Sequence, residues 1–328
     1  MARPASPVRL GRGAEFDLIR RFVGGGGALP PEVRVGPGDD AAVLEGGWVV
    51  STDLSVEGVH FRRDWLGDAE IGWRAGAGAL SDMAAMAARP VALLVSMAAP
   101  AGGAFDLEAV QAGLREVGEG EGAAVIGGDL SRSPGPLVLD VVVLGRAEAP
   151  LLRAGARPGD EVWVSGWLGA AAAAVRCRLA GAEPAPELHE AYARPRPRVR
   201  EALRLAEEGV AAALIDLSDG LAGDAGHLAA AGGVRITLDP RALPVAPAAR
   251  EALGAERALE AALHGGEDYE LCFAARPGAV DPERLAERVG VALTRVGWAG
   301  EGEGVWLLDA EGGERPVPRG GYDHWATP

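Results

Sequence analysis

Residues 212–231 read AALIDLSDGLAGDAGHLAAA, and this stretch decides the fold class. An apolar run ends in an acid-hydroxyl-acid-glycine turn, Asp216-Leu217-Ser218-Asp219-Gly220, and alanine- and leucine-rich spacing follows at once. A short apolar run, a turn and then a 3.6-residue period predict a strand over 212–215 and a helix over 220–231. The same alternation continues on both sides. Strands are expected at 161–165, 235–238, 271–274 and 305–308, with helices at 168–180, 198–208 and 282–289. Toward the N-terminus, strands are expected at 41–44, 48–52, 91–97, 123–126 and 137–144, with helices at 16–22, 68–88 and 107–117. Asp68 and Asp106 stand where helix N-caps belong. A Pro- and Gly-containing segment, 149–159, separates the halves, so two mixed α/β (α+β) domains are expected, over 1–148 and 149–328. The glycine run 24–27 reads as a loop or lid. No helix N-terminus follows it directly, which argues against a phosphate cradle there.

The chain has 328 residues, and 47 acidic against 32 basic side chains give a formal charge of −15. Hydrophobic residues at 48% can build real cores, which excludes disorder as the main state. The negative charge argues against a nucleic-acid partner, which needs basic surface to displace counterions. Small phosphorylated ligands stay possible, because bound cations reverse the sign of a carboxylate-rich pocket. Cys177 and Cys272 stand in unrelated contexts and form neither a disulfide framework nor a zinc motif; Cys272, inside LCFAA, reads as core. The N-terminal stretch has no signal-peptide core, and the most apolar segment, 75–99, is broken by Asp82, Arg89 and a proline. A soluble, cytoplasmic protein without a membrane span is expected. The chain contains no lysine and no asparagine. That excludes a Walker phosphate loop and the protein-kinase machinery, which depend on those residues.

Six acidic words follow apolar runs: Gly38-Asp39-Asp40, Ser51-Thr52-Asp53, Ser81-Asp82, Gly127-Gly128-Asp129, Asp216 to Gly220, and Gly265-Gly266-Glu267-Asp268-Tyr269-Glu270. Strand ends are where α/β scaffolds hold ligands, and glycine beside an acid lets the backbone come close. A single aspartate after a strand is ordinarily a turn or a cap. Six such words, several with a hydroxyl beside the acid, point to one shared metal–phosphate site. Hard divalent cations take oxygen ligands and complete their shells with substrate phosphates.

The stretches GPGDDAAVL, STDLSVEGVHF, ALSDMAAMAARP, IGGDLSRSP, IDLSDGLAGDAGHLA and HGGEDYELCF resemble the thiamine-monophosphate kinases, a family of the aminoimidazole ribonucleotide synthetase-like superfamily. The match runs from about Glu15 to the terminal GYDHW, and STDLSVEGVHF followed by GGEDYELCF is its specific part. The resemblance implies a two-domain fold of that superfamily. Its N-terminal mixed-sheet domain binds metal and ATP and pairs with its copy in a homodimer; a C-terminal α/β sandwich domain completes the site. It also implies magnesium-dependent, direct in-line transfer of the γ-phosphate of ATP to thiamine monophosphate, giving thiamine diphosphate and ADP, with several Mg2+ ions. Carried over residue by residue, Asp39, Ser51, Thr52, Asp53, Asp82, Asp129, Asp216 and Asp219 are the implied metal ligands, Asp82 and Asp219 the most critical. Gly128, Asp129, Arg153 and Ser218 are implied ATP contacts, and His60, Glu267 and Tyr322 implied contacts to the thiamine phosphate.

Physical reasons accompany these assignments. Arginine makes a forked contact with phosphate oxygens, and with no lysine in the chain Arg153 is a natural choice. An acid and an aromatic suit the permanent cation of a thiazolium ring. The acceptor phosphate is already ionised near neutral pH, so no general base is assigned. Tyr322 serves equally well as a pin for the C-terminus, and His227, on the helix after SDG, reads as packing. Two departures stand out. Residues 118–122, Gly-Glu-Gly-Glu-Gly, hold no aromatic where related sequences can stack adenine, and Ala87 stands where glycine is more familiar.

Other readings meet obstacles in the same residues. A selenophosphate synthetase needs a reactive cysteine and a lysine near the N-terminus, and no cysteine precedes Cys177. A hydrogenase-maturation carbamoyl dehydratase depends on a C-terminal cysteine tail, whereas this sequence ends HWATP. A non-catalytic metal- or nucleotide-binding protein with the same acidic loops stays open.

Overall fold

The computed structural model describes residues 14–24, 29–103 and 105–317, and in them one helix packs against two mixed sheets. The first half runs α1 (Ala14–Gly24), β1 (Val33–Val35), β2 (Ala42–Leu44), β3 (Trp48–Val56), α2 (Asp68–Ala85), β4 (Arg89–Pro100), α3 (Leu107–Gly120), β5 (Ala124–Ser133) and β6 (Val138–Arg146). Its six strands lie in the order β1-β2-β3-β6-β4-β5, antiparallel except for β4 with β5. The second half runs β7 (Glu161–Ser165), α4 (Ala170–Leu179), α5 (Pro186–Ala193), α6 (Val199–Glu208), β8 (Ala211–Asp216), α7 (Leu221–Gly232) and β9 (Arg235–Leu238). Then come α8 (Pro247–Leu253), α9 (Ala255–His264), β10 (Leu271–Ala275), α10 (Pro282–Val289), β11 (Leu293–Gly300), β12 (Gly304–Leu308) and β13 (Glu314–Pro316). Its seven strands are ordered β13-β12-β9-β11-β7-β10-β8, antiparallel except for β9 with β12.

Helix α2 joins the halves. Its sequence is small and apolar on every side, the pattern of a helix with no solvent face, and it is buried almost continuously from Ile71 to Ala85. It lies on β3, β4 and β6 of the first sheet and also against β8 and α6. Ala84 and Ala87 enter the cluster built by Leu214, Phe273 and Leu205 of the second half. Two charges interrupt this apolar helix, Arg74 and Asp82. The helix ends before the expected residue 88 because Ala87 turns left-handed (φ 47°), reversing the chain into β4.

Two of the acidic words lie inside strands rather than at strand ends. Ser51-Thr52-Asp53 falls inside β3 and Gly127-Gly128-Asp129 inside β5, because pairing to β6 and β4 carries both strands past the polar residues. Within a strand successive side chains point to opposite faces. Ser51 and Asp53 therefore share the face turned to α2, and Thr52 takes the other, where its hydroxyl donates to Asp140 at 2.5 Å. Strand β11 also departs from expectation. Its Arg295, Gly297 and Gly300 break the apolar alternation, and pairing on both sides, to β7 and β9, holds it in place.

Candidate active site

A cavity of about 860 Å3 lies between the halves, bounded by β3 and the loop after it on one side and by α4 and the segments 216–219 and 264–269 on the other. Its floor is acidic. Asp40 from the turn before β2, Asp82 from α2 and Asp216 from the end of β8 bring carboxylate oxygens within 4.8 Å of one another. Hydroxyls from the first half orient two of them: Ser51 donates to Asp82 and Ser81 to Asp216, each at 2.5 Å. Arg153 forks onto Asp40 through Nε (3.0 Å) and Nη2 (2.6 Å), and its backbone N–H lies 3.2 Å from Asp39.

So many carboxylates in one place cannot all ionise cheaply without a cation. Burial first, then the neighbouring Asp40, lifts Asp39 and Asp216 each to about 7. Burial lifts Asp53 to about 6, and burial together with Asp216, Asp53 and Asp40 raises Asp82 well above the ordinary carboxylate range. All-oxygen donors of this kind fit a hard divalent cation such as magnesium. A second group, Asp219, Asp224 and His227, also brings ligand atoms within 4.8 Å. Asp224 shapes this corner by accepting from the backbone N–H groups of Gly220 (3.0 Å) and Asp219 (3.2 Å), while burial drives the His227 pKa down to about 3 and keeps the ring neutral.

The two acidic loops of the second half are zipped together through their backbones. The N–H of Glu267 donates to Ser218 O (2.8 Å) and that of Tyr269 to Leu217 O (2.9 Å). A Cβ at Gly266 would sit 2.2 Å from Ser218 O, so the pairing demands glycine there. Side chains along the second loop then alternate. Glu267 and Tyr269 line the cavity, whereas Asp268 accepts from Gly169 N–H at the start of α4 (2.8 Å) and Glu270 is held by Arg198 Nε (2.8 Å) and the Ser165 hydroxyl (2.5 Å). Glu267 and Tyr269 carry left-handed backbones (φ 71° and 49°), strain fixed by the anchored neighbours. Opposite them His60 accepts from Val56 N–H through Nδ1 (3.0 Å), which orients its ring, and Trp65 and Tyr192 complete an aromatic wall.

The structure thus brings Ser51, Asp53, His60, Asp82, Asp216, Ser218, Asp219 and Glu267 to one cavity, with Asp39 and Arg153 behind its floor. Thr52 borders it, but its hydroxyl is turned away to Asp140. Gly128 and Asp129 stay apart. Gly128 stands in one cross-strand row with Val95, Val141 and Asp53, three strands from the last, or about 14 Å at the usual strand spacing. Tyr322 and most of the glycine run lie outside the described residues. Sequence reasoning passed over Asp40, Arg74, Trp65, Tyr192 and Asp224. Arg74 carried a signal, a basic residue in an apolar helix, and Asp40 stood beside a chosen aspartate; Tyr192 carried none.

Models of the AIR synthase related proteins match the chain twice, the N-terminal domain over residues 38–147 and the C-terminal domain over 157–307, so this is the fold of an AIR synthase related protein. Relatives cover nearly all of it. Thiamine-monophosphate kinase of Escherichia coli (strain K12) is 35% identical over 330 residues, 96% of this chain and 99% of that protein. The crystal structure of thiamine-monophosphate kinase from Stenotrophomonas maltophilia K279a is 38% identical with a TM-score of 0.75, covering 93% of this chain and 98% of that one. AaThiL complexed with AMPPCP and TMP is 30% identical with a TM-score of 0.80, over 94% and 96%. The chain belongs to the thiamine-monophosphate kinase family.

Proposed function

We propose that the cleft transfers the γ-phosphoryl group of ATP directly to the phosphate of thiamine monophosphate, giving thiamine diphosphate and ADP. The observation that carries this reading is the convergence of Asp40, Asp82 and Asp216, three segments from both halves, on one point in the cavity floor. Two polyanions can meet at such a floor only if their charge is neutralised, and magnesium, when bound, supplies that neutralisation together with Lewis-acid polarisation. Asp39, Asp40, Ser51, Asp53, Asp82, Asp216 and Asp219 are the residues that would hold it. Ser51 and Ser81, by fixing Asp82 and Asp216, preorganise these ligands from the first half. Arg153, forked onto Asp40, directs that carboxylate at the floor, and Ser218 faces the nucleotide side. His60 and Glu267 hold the thiamine end.

No side chain has to remove a proton. An oxygen of the acceptor phosphate forms the new bond to the γ-phosphorus as the bond to the β–γ bridging oxygen breaks, and ADP leaves with that oxygen. The chain's task is to hold the two anions in line. The division of labour follows the boundary near residue 148: segment 1–148 supplies most of the cation ligands, and 149–328 supplies Arg153, Asp216, Ser218, Asp219 and Glu267. A homodimer belongs to this reading. Edge strand β5 exposes Ile126 (64%) and Leu130 (67%), an unprotected apolar edge that a second copy would cover, and such cover would put Gly128 and Asp129 at the subunit boundary. No helix among the described residues is long and apolar enough to cross a membrane. Incubation with ATP, magnesium and thiamine monophosphate tests the reading. Thiamine diphosphate and ADP in equal amounts are expected, and binding of both ligands without product would make the protein a non-catalytic carrier.

A further inference from the structure

We propose that Arg74 is a positioning residue for the organic end of the substrate: buried in α2, it holds the Glu267 carboxylate at the cavity wall and thereby sets the affinity for the acceptor. This rests on thiamine monophosphate being that acceptor. Arg74 is only 3% exposed, a full charge inside the helix that both halves enclose. Such a charge persists only when paired, and its pairing crosses the cleft. It forms an ion pair with Glu267, its guanidinium carbon lies 4.2 Å over the Tyr192 ring, and it donates to the Tyr192 carbonyl oxygen. Tyr192 meets Trp65 edge to face, with ring centroids 6.3 Å apart, and both rings line the cavity.

The backbone of Glu267 explains why a tether is needed. At φ 71° the side chain leaves a strained backbone that pairing to Ser218 and the anchored neighbours already fix, so the direction of the carboxylate is set by its own partner. Its neighbours are anchored on the far side of the loop, Asp268 to α4 and Glu270 to Arg198. Arg74 is the anchor on the cavity side. Its planar fork binds a carboxylate while its face lies on an aromatic ring, a double role an ammonium fills poorly. One edge of Glu267 goes to Arg74, and the side chain, still 26% accessible, presents the rest to the cavity. Arg74 itself does not line the cavity, so it acts through Glu267 and Tyr192.

Steady-state kinetics of Arg74→Met, Arg74→Lys, Glu267→Gln and the Arg74→Met/Glu267→Gln double variant test this, with thiamine monophosphate and Mg·ATP varied separately and folding followed by circular dichroism. Arg74→Met should raise KM for thiamine monophosphate about 10- to 100-fold, the size of one lost charged hydrogen bond, and leave KM for Mg·ATP within about twofold. Arg74→Lys should fall between, and Arg74→Met should add little in the Glu267→Gln background. A wild-type KM for thiamine monophosphate in a folded variant, with loss only in thermal stability or uniformly in kcat, would make Arg74 a structural clamp and overturn the proposal. Should Arg74→Met fail to fold, a wild-type KM in Arg74→Lys overturns it equally. Absence of product from the wild-type protein overturns the acceptor assignment, and the role of Arg74 with it.

Discussion

Ser81 and Asp216, 135 residues apart in the chain, are joined by a 2.5 Å hydrogen bond at the floor of the cleft. The bond fastens a helix of the first half to a strand end of the second, directly beside Asp82, which Ser51 holds in the same way. Assembly of the acidic floor and association of the two halves are therefore one event. A residue at this junction serves the chemistry at the expense of the fold, because it adds charge to a buried place.

Replacing Asp82 with asparagine or alanine makes that trade visible. The substitution removes a carboxylate whose pKa burial and three neighbouring acids push far up, and so relieves repulsion in the metal-free protein. Turnover should fall by roughly a thousandfold or more, the scale set by loss of one preorganised electrostatic contact. The thermal midpoint of the metal-free protein should stay level or rise. Wild-type rates, or a collapse of the melting point, would contradict this account of the floor.

The pH dependence of stability follows from the same crowding. Asp39 and Asp216 rise from 3.8 to about 7, and Asp53 to about 6. A carboxyl with a raised folded pKa keeps its proton in the folded chain after the unfolded chain has lost it. Between 3.8 and about 7 the folded state thus binds more protons, and stability falls as pH rises through that window. The metal-free protein should melt several degrees lower at about pH 8 than at about pH 5. Added magnesium should raise the midpoint more at the higher pH, where the ligands are free of protons. Scanning calorimetry with and without chelator reads both effects.

What the sequence disclosed and what it withheld divide along physical lines. Elements with strong local patterns were legible, such as β8 and α7 around IDLSDG, and so was the grouping of Asp53, Asp82, Asp216 and Asp219. The position of GGD within β5 was not, because glycines that look like a strand end are tolerated where the partner strand supplies the pairing. The side-chain direction of Thr52 depends on strand register, which tertiary pairing fixes. Asp40 took the place at the floor while Asp39 went to the backbone N–H of Arg153, a choice between adjacent residues that only the turn geometry makes. Tyr192 reaches the cavity on α5, a short helix with no local sign of function.

The departure at Ala87 also has a measurable consequence. Its left-handed backbone (φ 47°) explains why glycine is at home there, and an alanine pays about 1–2 kcal/mol for it. Its buried methyl group returns about 0.8 kcal/mol by packing against the second half. Ala87→Gly should therefore stabilise the protein by roughly 0.2–1.2 kcal/mol, seen as a small rise in the urea midpoint with unchanged turnover. A clear destabilisation would show that the methyl contact outweighs the strain.

Strand β5 supplies the last test. Its residues Gly128 and Asp129 lie about 14 Å from Asp53 across the sheet, too far to share ligands with the acidic floor of the same chain. The same strand leaves Ile126 and Leu130 open to solvent on an unpaired edge. If a second copy covers that edge, a charge placed there separates the subunits without touching the acidic floor. Leu130→Arg should run as a monomer in sedimentation velocity, keep its fold, and lose turnover by roughly a hundredfold, the cost of misplacing a catalytic contact by about an ångström. Asp129→Ala should stay dimeric and lose turnover to a similar extent. A fully active Leu130→Arg monomer would remove β5 from the site and leave Gly128 and Asp129 without a part in the reaction.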